Sequence, residues 1–401
     1  MKFLTILLPI TLIACHRDDV EKFAYTFTIN NDTEYSLKLL CPTCKSEQIL
    51  EPSKQHKINS NSEFEEYTIS CDCDAPVKFD YTEIESEVYR ITENSSGIYA
   101  AGYEYASEKS TAKYWKDGRG VSLTTPPSQA VVSFDEASSI SVSGNDVYVS
   151  GIDGASIVYW KNGERVTLGT SIGAGNYPDP SSIITIGTDV YVAWSISGKY
   201  QNEYNFAMVT KNNQKTTLEE RKVSDGETLG LGIAVSGSDV FVSGKGVSDQ
   251  TYTAPDCCAK YWKNGVSVSL PGGTMATGIA VSGDDVYVVG YSGNIANSRA
   301  ILWKNGQKIE ITNTNGAVNG VANAVFNSGS DVYIAFTEGG MAKYWKNGEV
   351  IELDLGEATS IMVVGTDVYV GGYHFGGGYW KNRTWNPLKG ATKILSIFVK
   401  E

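Results

Sequence analysis

Apolar and polar positions alternate in short segments from about residue 86 to the end of the chain. One recurring segment is Asp-Val-Tyr-Val, as in Asp146–Val149 and Asp285–Val288, and a second is Tyr-Trp-Lys-Asn-Gly, as in Tyr261–Gly265. Branched and aromatic residues on a two-residue period predict β-strands. The Asn-Gly pair predicts tight hairpin turns, because both residues tolerate positive φ. The pattern therefore predicts antiparallel strands joined by short turns.

The first segment occurs seven times, at intervals of 36 to 50 residues. Each interval, for example 277–311, accommodates four strands. Repeats of this length with four strands each are typical of propeller blades, whereas a solenoid unit usually carries one or two strands. We therefore predict an all-β fold, with a seven-bladed β-propeller of four-stranded antiparallel blades over residues 86–401. The third copy is degenerate, because Val209–Asn213 replaces the Tyr-Trp-Lys-Asn-Gly segment.

The end of the chain carries one further strand pattern. Residues 391–399 repeat the pattern of the strand at 358–363. We expect this segment to return to the first blade as its innermost strand, pairing with 97–103 and either replacing or flanking Val88–Glu93. Such closure would hide two sheet edges that otherwise invite aggregation.

The repeated tryptophans and aspartates suggest a binding role, but packing explains them better. A tryptophan at the same place in six copies fits burial between blades, since each ring buries about 150–250 Å². The aspartate before Val-Tyr-Val occurs singly in each copy, which favours a turn residue over a metal ligand. The tryptophans are Trp115, Trp160, Trp262, Trp303, Trp345 and Trp380.

Residues 22–85 lack the repeat and alternate as several short strands, which predicts a small β-sandwich-like module. A module of this size is marginally stable without cross-links. Its cysteines are spaced as Cys-x₂-Cys and Cys-x-Cys, which suits two disulfides better than zinc. The sequence leaves their connectivity open. These cysteines are Cys41, Cys44, Cys71 and Cys73. The neighbours Cys257 and Cys258 form either a vicinal disulfide or two buried thiols.

The first fourteen residues have the layout of a secretory signal peptide: a charged start, an apolar run and a small residue. Leu12–Cys15 resembles the lipobox of bacterial lipoproteins, which implies cleavage after Ala14 and lipidation of Cys15. The acidic linker 15–21 resembles the export tag of Bacteroidetes lipoproteins. The repeats resemble Kelch propellers and, more closely, the "DVYV…YWKNG" repeat proteins of Bacteroidetes. The resemblance implies a lipid anchor in the outer membrane, with the chain surface-exposed or otherwise facing the periplasm.

Charge and motifs narrow the expected functions. The net charge is −13 and no Lys/Arg cluster occurs, which argues against nucleic-acid ligands. The chain has three histidines, and they form no catalytic set with serine and aspartate that the sequence supports. No motif predicts a cofactor or a metal site. A propeller glycosidase or other polysaccharide-active hydrolase is the enzymatic alternative, and a structural role in envelope assembly is another.

The expected function is binding of a protein or glycan by a monomer or by a member of a surface complex. Turns between the first and second strands and between the third and fourth are short in every copy, whereas the other connections vary in length. Variable loops on a rigid scaffold are common binding sites. The predicted binding residues on that face are Tyr103, Tyr105, Tyr200, Tyr204, Tyr252, Tyr291, Arg299, Tyr373, His374 and Phe375, with Asp249 and Asp256 nearby.

Overall fold

The computed structural model describes the strands between residues 4 and 93, and most of residues 96–401 with their side chains. The residues described with their side chains are 96–124, 135–170, 182–198, 200, 203–246, 258–294, 297–311 and 319–401, and only the backbone is described at 177–181. In these parts of the chain, no helix is long and apolar enough to cross a membrane. The chain divides into two compact units, 1–96 and 97–401.

The first unit contains two four-stranded sheets, ordered β1-β6-β3-β4 and β5-β2-β8-β7. Its strands are β1 Leu4–Leu7, β2 Tyr25–Asn31, β3 Leu37–Cys41, β4 Ser46–Leu50, β5 Lys54–Ser60, β6 Glu66–Cys71, β7 Phe79–Glu85 and β8 Val88–Glu93. All pairs are antiparallel except β2 with β8. Cys15, Cys44 and Cys73 lie outside the described residues, so lipidation and the cross-links of this unit stay predictions.

The second unit is a seven-bladed propeller of four-stranded antiparallel blades, as predicted. Blade 1 contains β9 Gly97–Ala106, β10 Lys109–Lys116 and β11 Arg119–Ser122, with its innermost strand supplied by the end of the chain. Blades 2 to 4 are β12 Glu136–Ser143, β13 Asp146–Asp153, β14 Ser156–Lys161 and β15 Glu164–Thr170; β16 Tyr177–Ile186, β17 Asp189–Ser197, β18 Tyr204–Lys211 and β19 Gln214–Lys222; and β20 Thr228–Ser236, β21 Asp239–Gly246, β22 Ala259–Lys263 and β23 Val266–Ser269. A 3₁₀ turn, Val223–Asp225, joins blades 3 and 4.

The remaining blades follow the same order from the centre outwards. They are β24 Met275–Ser282, β25 Asp285–Ser292, β26 Arg299–Lys304 and β27 Gln307–Glu310; β28 Val321–Ser328, β29 Asp331–Glu338, β30 Met341–Lys346 and β31 Glu349–Leu355; and β32 Glu357–Val364, β33 Asp367–Tyr373, β34 Gly377–Lys381 and β35 Thr384–Pro387. The last strand, β36 Lys393–Lys400, belongs to blade 1.

The ring closes through the end of the chain. Strand β36 pairs antiparallel with β9, Lys400 opposite Gly97 and Lys393 opposite Tyr103. Strand β8, residues Val88–Glu93, pairs instead with β2 and β7 in the first unit. The sequence left open whether the terminal strand replaces or flanks Val88–Glu93, and the pairing shows that it replaces it.

The predicted packing role of the tryptophans is confirmed for five of the six. Trp115, Trp160, Trp262, Trp303 and Trp380 are at most 1 % exposed, and each packs against the preceding blade. A glycine of the second strand makes room for the ring, as Gly244 does beside Trp262 and Gly372 beside Trp380. Burial of rings at the same place in successive blades therefore packs one blade against the next.

In blades 3 and 6, the buried ring comes from the second strand of the blade instead of the third. Trp194 occupies the glycine position of blade 3, packs against blade 2 and donates a hydrogen bond from Nε1 to Thr210 Oγ1 at 2.8 Å. Thr210 stands where the other blades carry tryptophan, so the degenerate copy keeps its buried ring. In blade 6, Phe336 takes the glycine position and is fully buried, while Trp345 is only partly buried.

Candidate functional site

The propeller has two unlike faces. The constant-turn face carries the two-residue turns between first and second strands and between third and fourth strands, such as 283–284 and 305–306. The variable-loop face carries the other connections, which range from one residue at 356 to thirteen at 123–135. Binding surfaces occur more often on such irregular connections than on uniform turns.

On the constant-turn face, the repeated sequence builds one hydrogen-bonded cluster in six blades. In blade 5, Asp285 accepts hydrogen bonds from the Asn305 side chain at 2.7 Å and from the Tyr287 hydroxyl at 3.1 Å, and pairs with Lys304 at 2.8 Å. Asn305 Oδ1 accepts the backbone N–H of Val286 at 2.8 Å. The lysine holds the pKa of each aspartate below its usual value. The aspartate is therefore a turn residue, as the sequence predicted. The six aspartates are Asp146, Asp189, Asp239, Asp285, Asp331 and Asp367.

A central channel of about 530 Å³ runs between the innermost strands. Each of the seven innermost strands has a β-bulge at the same level. Bulge residues bind the next blade: the Thr277 hydroxyl donates to the Ala322 carbonyl at 2.5 Å, and the Asn323 amide donates to the Ala358 carbonyl at 2.7 Å. Most of the polar wall of the channel therefore holds the ring together.

The mouth of the channel on the variable-loop face is charged on one side. Glu357, Lys393 and Glu136 begin the innermost strands of the adjacent blades 7, 1 and 2 and line the channel. Lys393 forms an ion pair with Glu357, and Glu136 accepts a hydrogen bond from Ser138 Oγ at 3.1 Å. Burial raises the pKa of Glu136, and Lys393 partly offsets this. We call these three residues and Tyr103 the channel mouth.

Tyr103 belongs to the channel mouth because it pairs with Lys393 across strands β9 and β36. Burial raises the pKa of its hydroxyl, Lys393 lowers it, and Glu136 and Glu357 raise it. All three charged groups therefore lie near this tyrosine. The sequence analysis predicted Tyr103 but missed Glu136, Glu357 and Lys393. The signal was available, since Glu136–Ile140, Glu357–Ile361 and Lys393–Ile397 share one pattern.

Blade 7 presents an aromatic cluster next to the mouth. Tyr373 pairs with Glu357 across strands and is 38 % exposed, while Phe375 is 82 % exposed. The His374 ring lies 4.7 Å from Phe375 and 5.4 Å from Trp385, and its Nδ1 is 2.7 Å from the Leu355 carbonyl oxygen. Phe375 has φ +53°, a left-handed conformation that non-glycine residues rarely adopt. The fold thus holds an apolar ring in solvent on a constrained loop.

The other predicted binding residues are spread around the same face. Tyr105 is half exposed, and its backbone N–H donates to Thr392 Oγ1 at 2.7 Å. Tyr291 is half-buried, and its hydroxyl faces Met275 Sδ at 3.8 Å. Arg299 is exposed and 3.7 Å from Glu310. Tyr200 and Tyr204 lie apart from the mouth, on blade 3.

Several sequence predictions concern residues beyond the described parts. Tyr252, Asp249, Asp256 and Cys257 lie outside them. Cys258 is buried and disulfide-bonded, and it is therefore not a free thiol. Across the described residues, no group of three or more His, Cys, Asp or Glu side chains is arranged to hold a metal ion.

Comparison with known proteins assigns this chain to no family. No protein-family model and no curated protein matches the chain. Among solved structures, YCF48 bound to D1 peptide is 10 % identical, with a TM-score of 0.38, over 74 % of this chain and 93 % of that one.

Two enzymes give similar matches. A puromycin-hydrolyzing peptidase of Mycobacterium tuberculosis is 12 % identical, with a TM-score of 0.40, over 63 % of this chain and 46 % of its own. A sialidase of Trypanosoma rangeli is 9 % identical, with a TM-score of 0.36, over 69 % of this chain and 56 % of its own. At such identities, neither a ligand nor an activity is transferred to this chain.

Proposed function

We propose that the propeller is a binding module whose variable-loop face takes a protein or glycan ligand. One observation carries the proposal: every large aromatic side chain that is exposed among the described residues lies on this face. Exposed aromatic groups gathered on one side of a domain typically mark an interaction site. The exposed aromatic residues of this face are Tyr105, Tyr200, Tyr204, Tyr373 and Phe375.

The constant-turn face supports the proposal by contrast. Its surface carries the repeated Asp–Lys–Asn clusters of six blades, and their charges are paired within each of those blades. A surface of mutually satisfied charges offers a ligand little that water does not already supply. Binding by the variable-loop face leaves these clusters with a purely structural role.

The experiment is a screen of the purified full chain against glycans and extracellular proteins. The test variant carries Tyr105→Ser, Tyr373→Ser and Phe375→Ser. The matched control carries Ile186→Ser, Val266→Ser and Val350→Ser, which change exposed apolar residues at the opposite ends of their strands. We expect at least tenfold weaker binding in the test variant and unchanged binding in the control. Equal binding by both variants would refute the assignment to this face.

We further propose that Cys15 anchors the chain in the outer membrane, with the propeller exposed at the surface. The support is the lipobox-like Leu12–Cys15 and the acidic segment after it. Incorporation of labelled palmitate into the wild-type chain, and its absence in Cys15→Ser, is the expected result. Labelling of the Cys15→Ser variant would contradict the anchor. No specific observation among the described residues favours the hydrolase or the envelope-assembly alternative.

A further inference from the structure

The channel mouth is polarised around the ring. Blades 7, 1 and 2 place Glu357, Lys393 and Glu136 at the residue just before the bulge alanine or isoleucine. At the same register, blades 4, 5 and 6 carry apolar residues. Those residues are Leu229, Met275 and Val321. The charged residues of the channel mouth therefore lie together in three adjacent blades and line the channel there.

The charged side has a surplus of carboxylate. Two carboxylates, Glu136 and Glu357, share one ammonium group, and Lys393 is bound directly to Glu357. A carboxylate has about four acceptor sites, and the Ser138 hydroxyl occupies one of those on Glu136. Partial burial strengthens the attraction between this carboxylate and an incoming cation, because the local dielectric constant is lower than that of water.

The cavity below has the right scale for a small group. Its volume of about 530 Å³ lies within the range of about 300–1,000 Å³ that is usual for ligand sites. Ser138, Ser139 and Thr359 line it near the carboxylates. Tyr103 and Tyr373 stand beside the entrance and offer aromatic surface to the stem of a long side chain.

We propose that the channel mouth binds a cationic group of the ligand, an ammonium or guanidinium, with the Glu136 carboxylate as its acceptor. This inference rests on the proposed function and names the ligand chemistry for it. A protein ligand supplies the group from a lysine or arginine side chain, and an amino-sugar glycan supplies it from a free amine. The net charge of −13 favours approach of such ligands over long range.

The test measures binding of small probes to the full chain by calorimetry at low salt. The protein probe is a capped pentapeptide with one central lysine, and its control is the same peptide with that lysine acetylated. The glycan probe is a glucosamine tetramer, and its control is the N-acetylated tetramer. We expect the cationic member of at least one pair to bind at least tenfold more tightly than its acetylated control. The pair that responds identifies the source of the cation.

Three substitutions separate an electrostatic site from a structural effect, because they act in opposite directions. Glu136→Gln removes the acceptor and should weaken binding about tenfold. Glu357→Gln frees Lys393 to pair with Glu136 and should also weaken it. Lys393→Met leaves two unpaired carboxylates and should strengthen it. Asp225→Asn changes an exposed carboxylate on the same face and should have no effect.

Equal affinity for cationic and acetylated probes, or Glu136→Gln binding as tightly as wild type, would overturn the inference. Weaker binding by Lys393→Met would also overturn it. These results differ from a failure of the proposed function. If a ligand from the screen loses affinity in the Tyr105, Tyr373 and Phe375 variant but not in Glu136→Gln, the binding face stands and the cation site falls.

Discussion

Asn305 donates a hydrogen bond to the Asp285 carboxylate at 2.7 Å, and this bond joins the two turns at one end of blade 5. Asn305 also has φ +51°, which asparagine tolerates better than most residues. Its Oδ1 accepts the N–H of Val286 at the start of the neighbouring strand. One side chain thus fixes a turn, an aspartate and a strand end, and six blades repeat the arrangement.

Replacing Asn305 should therefore cost more than its exposed position suggests. We expect Asn305→Ala to lower the free energy of unfolding by about 1–3 kcal/mol, since it loses two hydrogen bonds and puts alanine at positive φ. Asn305→Gly loses the same bonds without the backbone cost and should be less destabilising. Urea unfolding of both variants provides the measurement. An alanine variant no less stable than the glycine variant would contradict the strain component.

The aspartate clusters predict a specific acid sensitivity. The pKa of Asp285 and of its five equivalents is lower in the folded chain than the unfolded value of about 3.9. A lowered folded pKa stabilises the fold above the unfolded value, and this stability is lost as pH falls through the folded value. We expect unfolding free energy to drop from about pH 4 downwards.

The contribution of the clusters is tested by measuring how steeply the unfolding free energy of each variant changes with pH. Asp285→Asn combined with Asp331→Asn should be less stable than wild type at pH 7 and should lose less stability between pH 5 and pH 2. Asp225→Asn, which lies outside the clusters, should keep the wild-type slope. If the unfolding free energies of the double variant and of wild type fell in parallel with pH, the clusters would not be the cause of the acid sensitivity.

Asn327 is a polar residue in an apolar position of blade 6. Its side-chain N and O are buried without a hydrogen-bond partner. Replacing a buried unsatisfied amide by an apolar group of similar size removes a desolvation cost, so Asn327→Val should raise the free energy of unfolding by about 1–2 kcal/mol. The six equivalent residues are Val142, Thr185, Val235, Val281, Val363 and Val399.

The reverse change provides the matched control for Asn327. Val281→Asn places the amide at the same position of blade 5 and should be destabilising by about 1–3 kcal/mol. Thermal unfolding of the two variants beside wild type is sufficient. A destabilised Asn327→Val would mean that the amide has a partner in solution.

Trp194 and Thr210 form an exchanged pair in blade 3. Trp194→Gly should cost about 3–5 kcal/mol, because it leaves a ring-sized cavity against blade 2. Thr210→Trp alone should cost about 1–3 kcal/mol through overpacking. The double variant restores the glycine and tryptophan arrangement of the other blades. It should therefore be more stable than the sum of the single changes by about 0.5–3 kcal/mol.

A double-mutant cycle by urea unfolding measures this coupling. Additive effects of the two substitutions would show that the tryptophan positions are not interchangeable. Blade 6 differs, because Phe336 is buried at the glycine position while Trp345 keeps the tryptophan position.

The sequence alone predicted the propeller, over residues 86–401, and the structure has it at 97–401. Strand periodicity, Asn-Gly turns and a repeat of about blade length are local properties of the sequence, and they recur from copy to copy. The sequence also predicted the terminal strand, because 391–399 resembles the other innermost strands. It did not choose between replacing and flanking Val88–Glu93, since that choice depends on which unit takes β8 as a partner.

Only the tertiary structure decided the candidate site. Glu136 and Lys393 are 257 positions apart in the sequence, and ring closure makes their strands neighbours. The sequence drew attention to loop aromatics because loops are visible as breaks in the pattern. The channel-mouth charges begin ordinary strands and gain their role from position around the ring. Local pattern specifies the blades, whereas the surplus charge at the mouth arises from which blades become adjacent.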